Sequence, residues 1–201
     1  MEFLEKGGVV FVLILSCSLV AMTIAVQRWQ FYRSVQKEET MYITQWKQSF
    51  ASGNCRPFGD GDGPLVKLWT TIYKGGLEES DQDRSCIEVA LEKEELRLEK
   101  YLYILATIAT IAPLLGLLGT VLGMIKTFQA AALSGAGNPQ LLAEGIAEAL
   151  YNTAAGLFVT VFCIICHAYF RNWVERRVRL LEAHAKEFFS FLMKGAKQRV
   201  Q

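Results

Sequence analysis

Long uncharged segments alternate with charged segments along this chain. Residues 7–26, 102–125 and 150–170 form runs of 20, 24 and 21 residues without Asp, Glu, Lys or Arg. About 20 apolar residues cross the hydrocarbon core of a bilayer as a helix, and a spanning segment must satisfy its backbone hydrogen bonds internally. The pattern therefore predicts an all-α integral membrane protein with three transmembrane helices.

The distribution of Lys and Arg predicts the orientation of these helices. Residues 127–149 contain neither Lys nor Arg, whereas basic residues follow spans one and three and precede span two. Basic residues favour the cytoplasmic side, so we expect the N-terminus outside and the C-terminus in the cytoplasm. The first span lacks a positive leader, because Glu2 and Glu5 accompany Lys6, and it is interpreted as an uncleaved span. The basic residues are Arg28, Arg33, Lys37, Lys93, Arg97, Lys100, Arg171, Arg176, Arg177 and Arg179.

Spans and orientation together divide the chain into seven segments. Two of the spans are expected to continue into the cytoplasm as long helices, one over residues 81–128 without a break and one over 171–194. Residues 53–64 predict a turn, and residues 64–74 a short helix. The segments are an external N-terminus (1–6), transmembrane helices (7–26, 102–126 and 149–170), a cytoplasmic helical region (27–101), an external loop (127–148) and a cytoplasmic C-terminal helix (171–201).

Composition narrows the function classes. The net charge of +1 gives no sign of nucleic-acid binding, and 52% hydrophobic residues with only 20% charged ones argue against disorder. The Asp-Gly-Asp-Gly sequence at residues 60–63 lacks the later ligands of a calcium loop. The chain contains no Gly-rich nucleotide loop and no catalytic triad pattern. We therefore predict no catalytic residue, no metal site and no cofactor.

Small residues recur on one face of span two and on one face of span three. The spacing is that of a helix, and the residues are Gly, Ala and Thr. Close helix packing is one interpretation. The other is that these faces line a narrow passage. The presence of Asn152, Thr153 and Thr160 in span three favours it, because polar atoms at depth need partners. The predicted lining residues are Gly116, Thr120 and Gly123 in span two and Ala149, Thr153, Gly156 and Thr160 in span three.

Two acidic residues stand at the external end of span three. Glu144 and Glu148 are four residues apart and share a helix face. Capping of the helix N-terminus is the expected role of Glu144, because the helix dipole favours negative charge there. Glu148 lies closer to the apolar run, where a carboxylate is costlier, so we add it to the candidate site.

The chain contains five cysteines, and three of them fall in the predicted spans. Cys163, Cys166 and His167 match the haem-attachment pattern C-x-x-C-H, but they lie in the cytoplasmic half of an apolar helix. Small apolar filling of a membrane helix is the favoured interpretation. A membrane thiol oxidoreductase that uses Cys163 and Cys166 is a remote alternative.

Two segments resemble the signature segments of the ExbB/TolQ/MotA proton-channel family. They are APLLGLLGTVLGMIKTF at residues 112–128 and GIAEALYNTAAGL at residues 145–157. Three spans with a large cytoplasmic insertion after the first resemble the ExbB/TolQ branch. Asn152, Cys163, Cys166 and His167 depart from the family pattern.

The resemblance implies a stator subunit of a proton-driven motor in the inner membrane of a Gram-negative cell, with a periplasmic N-terminus. It implies a homo-oligomer, most simply a pentamer, within membrane lipids. A dimer of single-span subunits of the ExbD/TolR type would supply a proton-carrying Asp, and a TonB/TolA-type transducer would carry force to the outer membrane. The positions matching Thr120 and Thr153 would face that Asp, and Glu148 would lie on the periplasmic side.

The sequence and the resemblance leave several functions open. An ExbB-like role in TonB-dependent transport is the first hypothesis, and a TolQ-like role in envelope integrity and cell division is the second. A passive assembly scaffold is a third, in which the hydroxyl groups of Thr120 and Thr153 have no function.

Overall fold

The computed structural model describes residues 8–51, 66–67, 70, 81–134 and 139–199, and four long helices account for most of these residues. They are α1 (Gly8–Ala51), α2 (Asp81–Glu99), α3 (Leu102–Ser134) and α4 (Pro139–Arg199). The described residues contain no strand. The prediction of an all-α protein is confirmed.

Three helices are long and apolar enough to cross a membrane. The candidate spans are Gly8–Lys37 in α1, Leu102–Leu133 in α3 and Leu142–Glu187 in α4. The prediction of three transmembrane helices is thus confirmed. The extension of span three is also confirmed, because α4 continues for 61 residues without a break. Pro139 suits the first position of α4, since its missing N–H would have no partner there.

One compact unit comprises Met1–Gln27 and Tyr101–Phe170. Its described core includes the fully covered side chains of Ile14, Leu105 and Cys163. Large apolar side chains cover its outside, where Leu19 is 63% exposed and Phe158 is 78% exposed. An apolar exterior of this kind suits lipid rather than water.

The second unit comprises Arg28–Lys100 and Arg171–Gln201. Its described part is held by an aromatic stack between α1 and α4, in which the ring centroids of Tyr32 and Trp173 are 4.2 Å apart at 25°. Leu98 of α2 and Val174 of α4 are also buried here. Charged pairs one turn apart support the solvated side of α4, such as Lys186 and Glu182 at 2.6 Å.

The expected unbroken helix over residues 81–128 is wrong. Tyr101 separates α2 from α3 with a φ of 69°, a left-handed conformation that non-glycine residues rarely adopt. The carbonyl groups left without helical partners at the end of α2 have side-chain donors from α1. Tyr32 Oη donates to the Leu98 oxygen over 2.8 Å, and Arg28 Nη2 donates to the Lys100 oxygen. A cation at a helix C-terminus is also favoured by the helix dipole.

Some predictions fall outside the described residues. The turn over residues 53–64 and the N-terminal residues 1–6 are among them. Of the predicted short helix at 64–74, only residues 66, 67 and 70 are described, and these are helical. Most of the predicted loop 127–148 is helical, because α3 continues to Ser134 and α4 begins at Pro139.

Candidate functional site

Backbone contact between α3 and α4 forms the centre of the candidate site. A Cβ atom on Gly156 would lie 2.6 Å from the Ala112 oxygen and 3.1 Å from the Cα atom of Gly116. Real Cβ atoms do not approach other atoms so closely, so only glycine fits at this crossing. The two helices approach each other in the way that small residues permit in membranes.

A hydrogen bond crosses the same contact. The Thr153 hydroxyl group donates to the backbone oxygen of Gly116 over 3.0 Å. A Cβ atom on Gly116 would stand 3.0 Å from the Thr153 Cα atom, so the absence of a side chain at position 116 permits this bond. Thr153 is half-buried. One of the predicted hydroxyl groups, that of Thr153 in α4, is thus hydrogen-bonded to the backbone of α3.

The contact continues along both helices beyond this bond. A Cβ atom on Gly123 would lie 3.0 Å from the Ala149 Cβ atom. Further along, Gly145 lies against Thr127, whose Cγ2 atom would be 2.8 Å from a Cβ at position 145. Thr127 is buried, and its hydroxyl group donates to the Gly123 oxygen over 2.8 Å. Gly145 is therefore a packing residue that the sequence interpretation missed.

The remaining predicted hydroxyl groups bond to their own helices. Thr120 donates to the Leu117 oxygen over 2.7 Å, and Thr160 donates to the Gly156 oxygen over 2.8 Å. A hydroxyl group has one hydrogen to donate and two lone pairs. In this arrangement the hydrogens of both residues are in use, whereas their oxygen atoms can still accept.

The structure brings five of the eight predicted residues into the α3–α4 contact and leaves three beside it. Thr120, Glu148 and Thr160 are half-buried. Helix packing accounts for the small residues of the contact, and the lining of a passage stays a prediction for the whole set. The five contact residues are Gly116, Gly123, Ala149, Thr153 and Gly156.

The expected capping role of Glu144 does not fit the helix bounds. Because α4 begins at Pro139, Glu144 lies beyond the first turn, which contains no acidic residue. Capping acts within the first turn of a helix. The carboxyl group of Glu144 is exposed, whereas Glu148, one turn further on, is half-buried.

Asn152 lies in the candidate site, although it was not among the predicted lining residues. Its side chain is buried in the α3–α4 contact, and its Oδ1 atom has no hydrogen-bond partner. A polar residue inside an apolar run was the available signal. Periodicity alone did not show that position 152 faces the opposite helix.

The cysteines and histidines form no metal centre in the described residues. Cys17, Cys163 and Cys166 are free thiols, and Cys163 is fully buried. Within the described part of the chain, no group of three or more His, Cys, Asp or Glu side chains is placed to hold a metal ion.

Comparison with known proteins identifies the family. The family model described as the MotA/TolQ/ExbB proton channel family matches residues 68–183. An ExbB-like protein of Synechocystis sp. is 27% identical over 88% of this chain and 87% of its own length. The biopolymer transport protein exbB1 of Vibrio cholerae is 37% identical over 52% of this chain and 46% of its own length. The Tol-Pal system protein TolQ of Pseudomonas aeruginosa is 36% identical over 53% of this chain and 46% of its own length. The matched residues include the parts of both helices that form the α3–α4 contact, and this chain is a multi-pass membrane protein of the MotA/TolQ/ExbB proton channel family.

Proposed function

We propose that this chain is an ExbB-like stator subunit of a motor driven by the proton-motive force, which energises TonB-dependent transport across the outer membrane. It would reside in the inner membrane of a Gram-negative cell with its N-terminus in the periplasm. The observation that carries the proposal is the Thr153 hydroxyl group, bonded to Gly116 across two apolar helices. In a proton-channel family, a hydroxyl group at that depth has a use beyond packing.

The proposed assembly is a homo-pentamer around a dimer of ExbD/TolR-type single-span subunits. The three uncharged runs, at residues 7–26, 102–125 and 150–170, contain no carboxyl group that could carry a proton deep in the membrane. The proton carrier would therefore be a carboxyl group of the partner subunits. A TonB/TolA-type protein would receive the resulting force.

Hydrogen-bond direction suggests how the threonines act on that carboxyl group. A neutral carboxyl group has a hydrogen to donate, and the free lone pairs of Thr120 and Thr153 can accept it. An ionised carboxylate accepts only, so Thr153 would have to turn its hydrogen away from the Gly116 oxygen to bond with it. Loss of the proton would thus weaken the bond between α3 and α4 while it strengthens the bond to the partner.

The other predicted residues take secondary roles in this proposal. Glu148 is half-buried and would attract protons at the periplasmic entrance. Thr160 is half-buried about two turns beyond Thr153 on α4 and would continue the hydroxyl path. Gly116 and Gly156 would keep the helices close enough for the Thr153 bond.

A TolQ-like role in envelope integrity and cell division is the second candidate. The chain is 36% identical to TolQ of Pseudomonas aeruginosa and 37% identical to exbB1 of Vibrio cholerae, so the two sequence identities are nearly equal. Sequence similarity therefore does not choose between the two roles.

Reconstitution with the native partner tests the proposal. The chain is co-purified with a single-span subunit of the ExbD/TolR type from the same cells, and native mass measurement gives the stoichiometry. We expect five copies with two partner copies, and proton flux in liposomes under a membrane potential. The matched control is a partner whose membrane carboxyl group is replaced by an amide. Equal flux in the control, or no flux in either complex, would contradict a proton-driven stator.

A further inference from the structure

A buried side-chain amide whose oxygen atom has no hydrogen-bond partner among the described residues lies in the α3–α4 contact. Asn152 is only 4% exposed, and no donor reaches its Oδ1 atom. Gly119 of α3 faces it, because a Cβ at position 119 would lie 2.6 Å from Asn152 Cβ, 3.0 Å from Cγ and 3.1 Å from Nδ2. The amide thus occupies space that any side chain at position 119 would fill.

An unpaired amide oxygen at this depth needs a donor. Buried polar groups are almost always bonded to protein or to ordered water, and the hydrocarbon core supplies no bulk water. Thr153, which follows Asn152, already donates its hydrogen to the Gly116 oxygen, and Thr120, which follows Gly119, donates to the Leu117 oxygen. None of the described residues therefore supplies the donor, which points to a molecule from outside the chain.

The burial of Asn152 restricts the size of that donor. The side chain is covered by its own chain, so a carboxyl group on a partner helix does not reach it without separating α3 from α4. A water molecule is small enough, and buried waters typically bond to otherwise unsatisfied polar groups. The free lone pairs of Thr120 and Thr153 are further acceptors on the same two helices.

We propose that Asn152 Oδ1 binds a water molecule inside the α3–α4 contact, and that Asn152 is a positioning residue that holds this water beside the hydroxyl groups of Thr120 and Thr153. The observations that support the water site concern only Asn152 and Gly119. Its role in proton movement rests on the proposed function. A water molecule can both donate and accept hydrogen bonds. It can therefore donate to Asn152 Oδ1, which Thr120 and Thr153 do not do because their hydroxyl hydrogens are bonded elsewhere.

Solid-state nuclear magnetic resonance of the homo-oligomer in lipid tests the site in the native sequence. The chain has four asparagines, and only Asn152 follows a tyrosine. Carbonyl-labelled tyrosine combined with labelled asparagine therefore identifies its signals without a variant. We expect magnetisation transfer from water to the Asn152 side-chain amide, both without and with the partner subunits. Absence of this transfer in the homo-oligomer, or its appearance only after the partner is added, overturns the water site.

A pair of variants that differ by one oxygen atom tests the positioning role. Asn152→Ser keeps a hydroxyl group that can bond to water, whereas Asn152→Ala keeps only the small size. We expect proton flux of the complex to be about tenfold lower with Ala than with Ser, the loss that one hydrogen bond accounts for, at equal assembly. Equal flux in the two variants overturns the role. A wild-type complex without flux contradicts the proposed function instead, and the resonance measurement still decides the water site.

Discussion

Thr153 and Gly116 are joined across two helices by a hydroxyl-to-carbonyl hydrogen bond of 3.0 Å. The bond exists because glycine at position 116 lets the Thr153 backbone approach, with the Cα atom 3.0 Å from where a Cβ would stand. The same two residues therefore contribute both close packing and a hydrogen bond to the candidate site, and substitutions can separate the effect of one from that of the other.

Thr153→Val removes the hydroxyl group and keeps the shape of the side chain. We expect the variant to assemble with its partner, to lose about 1 kcal/mol or less of helix–helix stability, and to lose proton-driven transport. Thr120→Val should act similarly or more mildly, because its hydroxyl group bonds within α3. Transport assays and co-purification measure both effects. Full activity in the double variant would remove these hydroxyl groups from the proton path and favour the passive scaffold.

Substitutions of the contact glycines should destabilise the protein in an order set by their neighbours. Gly156→Ala places a Cβ 2.6 Å from the Ala112 oxygen, a backbone atom, whereas Gly123→Ala places it 3.0 Å from the Ala149 Cβ atom. We expect Gly156→Ala to cost about 1–3 kcal/mol and Gly123→Ala to cost less. Gly116→Leu and Gly156→Leu should disrupt assembly. Unfolding in mixed detergent micelles measures the order, and a reversed order would contradict the packing described here.

The Tyr32 hydroxyl group should stabilise the C-terminal end of α2. Tyr32→Phe removes the 2.8 Å bond to the Leu98 oxygen and retains a ring that can stack on Trp173. We expect a loss of about 1 kcal/mol in the free energy of unfolding, measured by thermal or chemical denaturation. Tyr103→Phe is the matched control, since Tyr103 is 70% exposed. An equal effect in both variants would mean that the bond at Leu98 does not stabilise the break.

The predicted topology is open to labelling of single cysteines in a cysteine-free background. We expect a cysteine at Gly137 to react from the periplasmic side. Cysteines at Asp60 and Lys197 should react only from the cytoplasm, because basic residues flank those segments. Labelling of position 137 only from the cytoplasmic side would reverse the orientation.

The thiol groups should be dispensable. Cys166→Ser keeps the size of the side chain, and the stator proposal predicts transport within about twofold of wild type, since surface and filler substitutions have small effects. A thiol oxidoreductase would instead lose its activity. Transport and thiol–disulfide exchange assays on the same preparation separate the two functions.

Several features of the protein follow from the sequence by itself. Three apolar runs of 20 to 24 residues require helices, because lipid offers the backbone no hydrogen-bond partner. The spacing of Gly, Ala and Thr predicted one small face on each of two helices. The two signature segments led to the correct family.

The tertiary structure decided which residues meet. Helical spacing places residues on a face, but only the register between α3 and α4 pairs Gly116 with Thr153 and Gly119 with Asn152. The helix breaks at Tyr101, where no neighbouring glycine or proline predicts a break. The carbonyl groups of Leu98 and Lys100 just before it accept hydrogen bonds from residues about 70 positions away in sequence. Such long-range partners determine where a helix ends and which polar atom stays unpaired, and a local pattern cannot contain them.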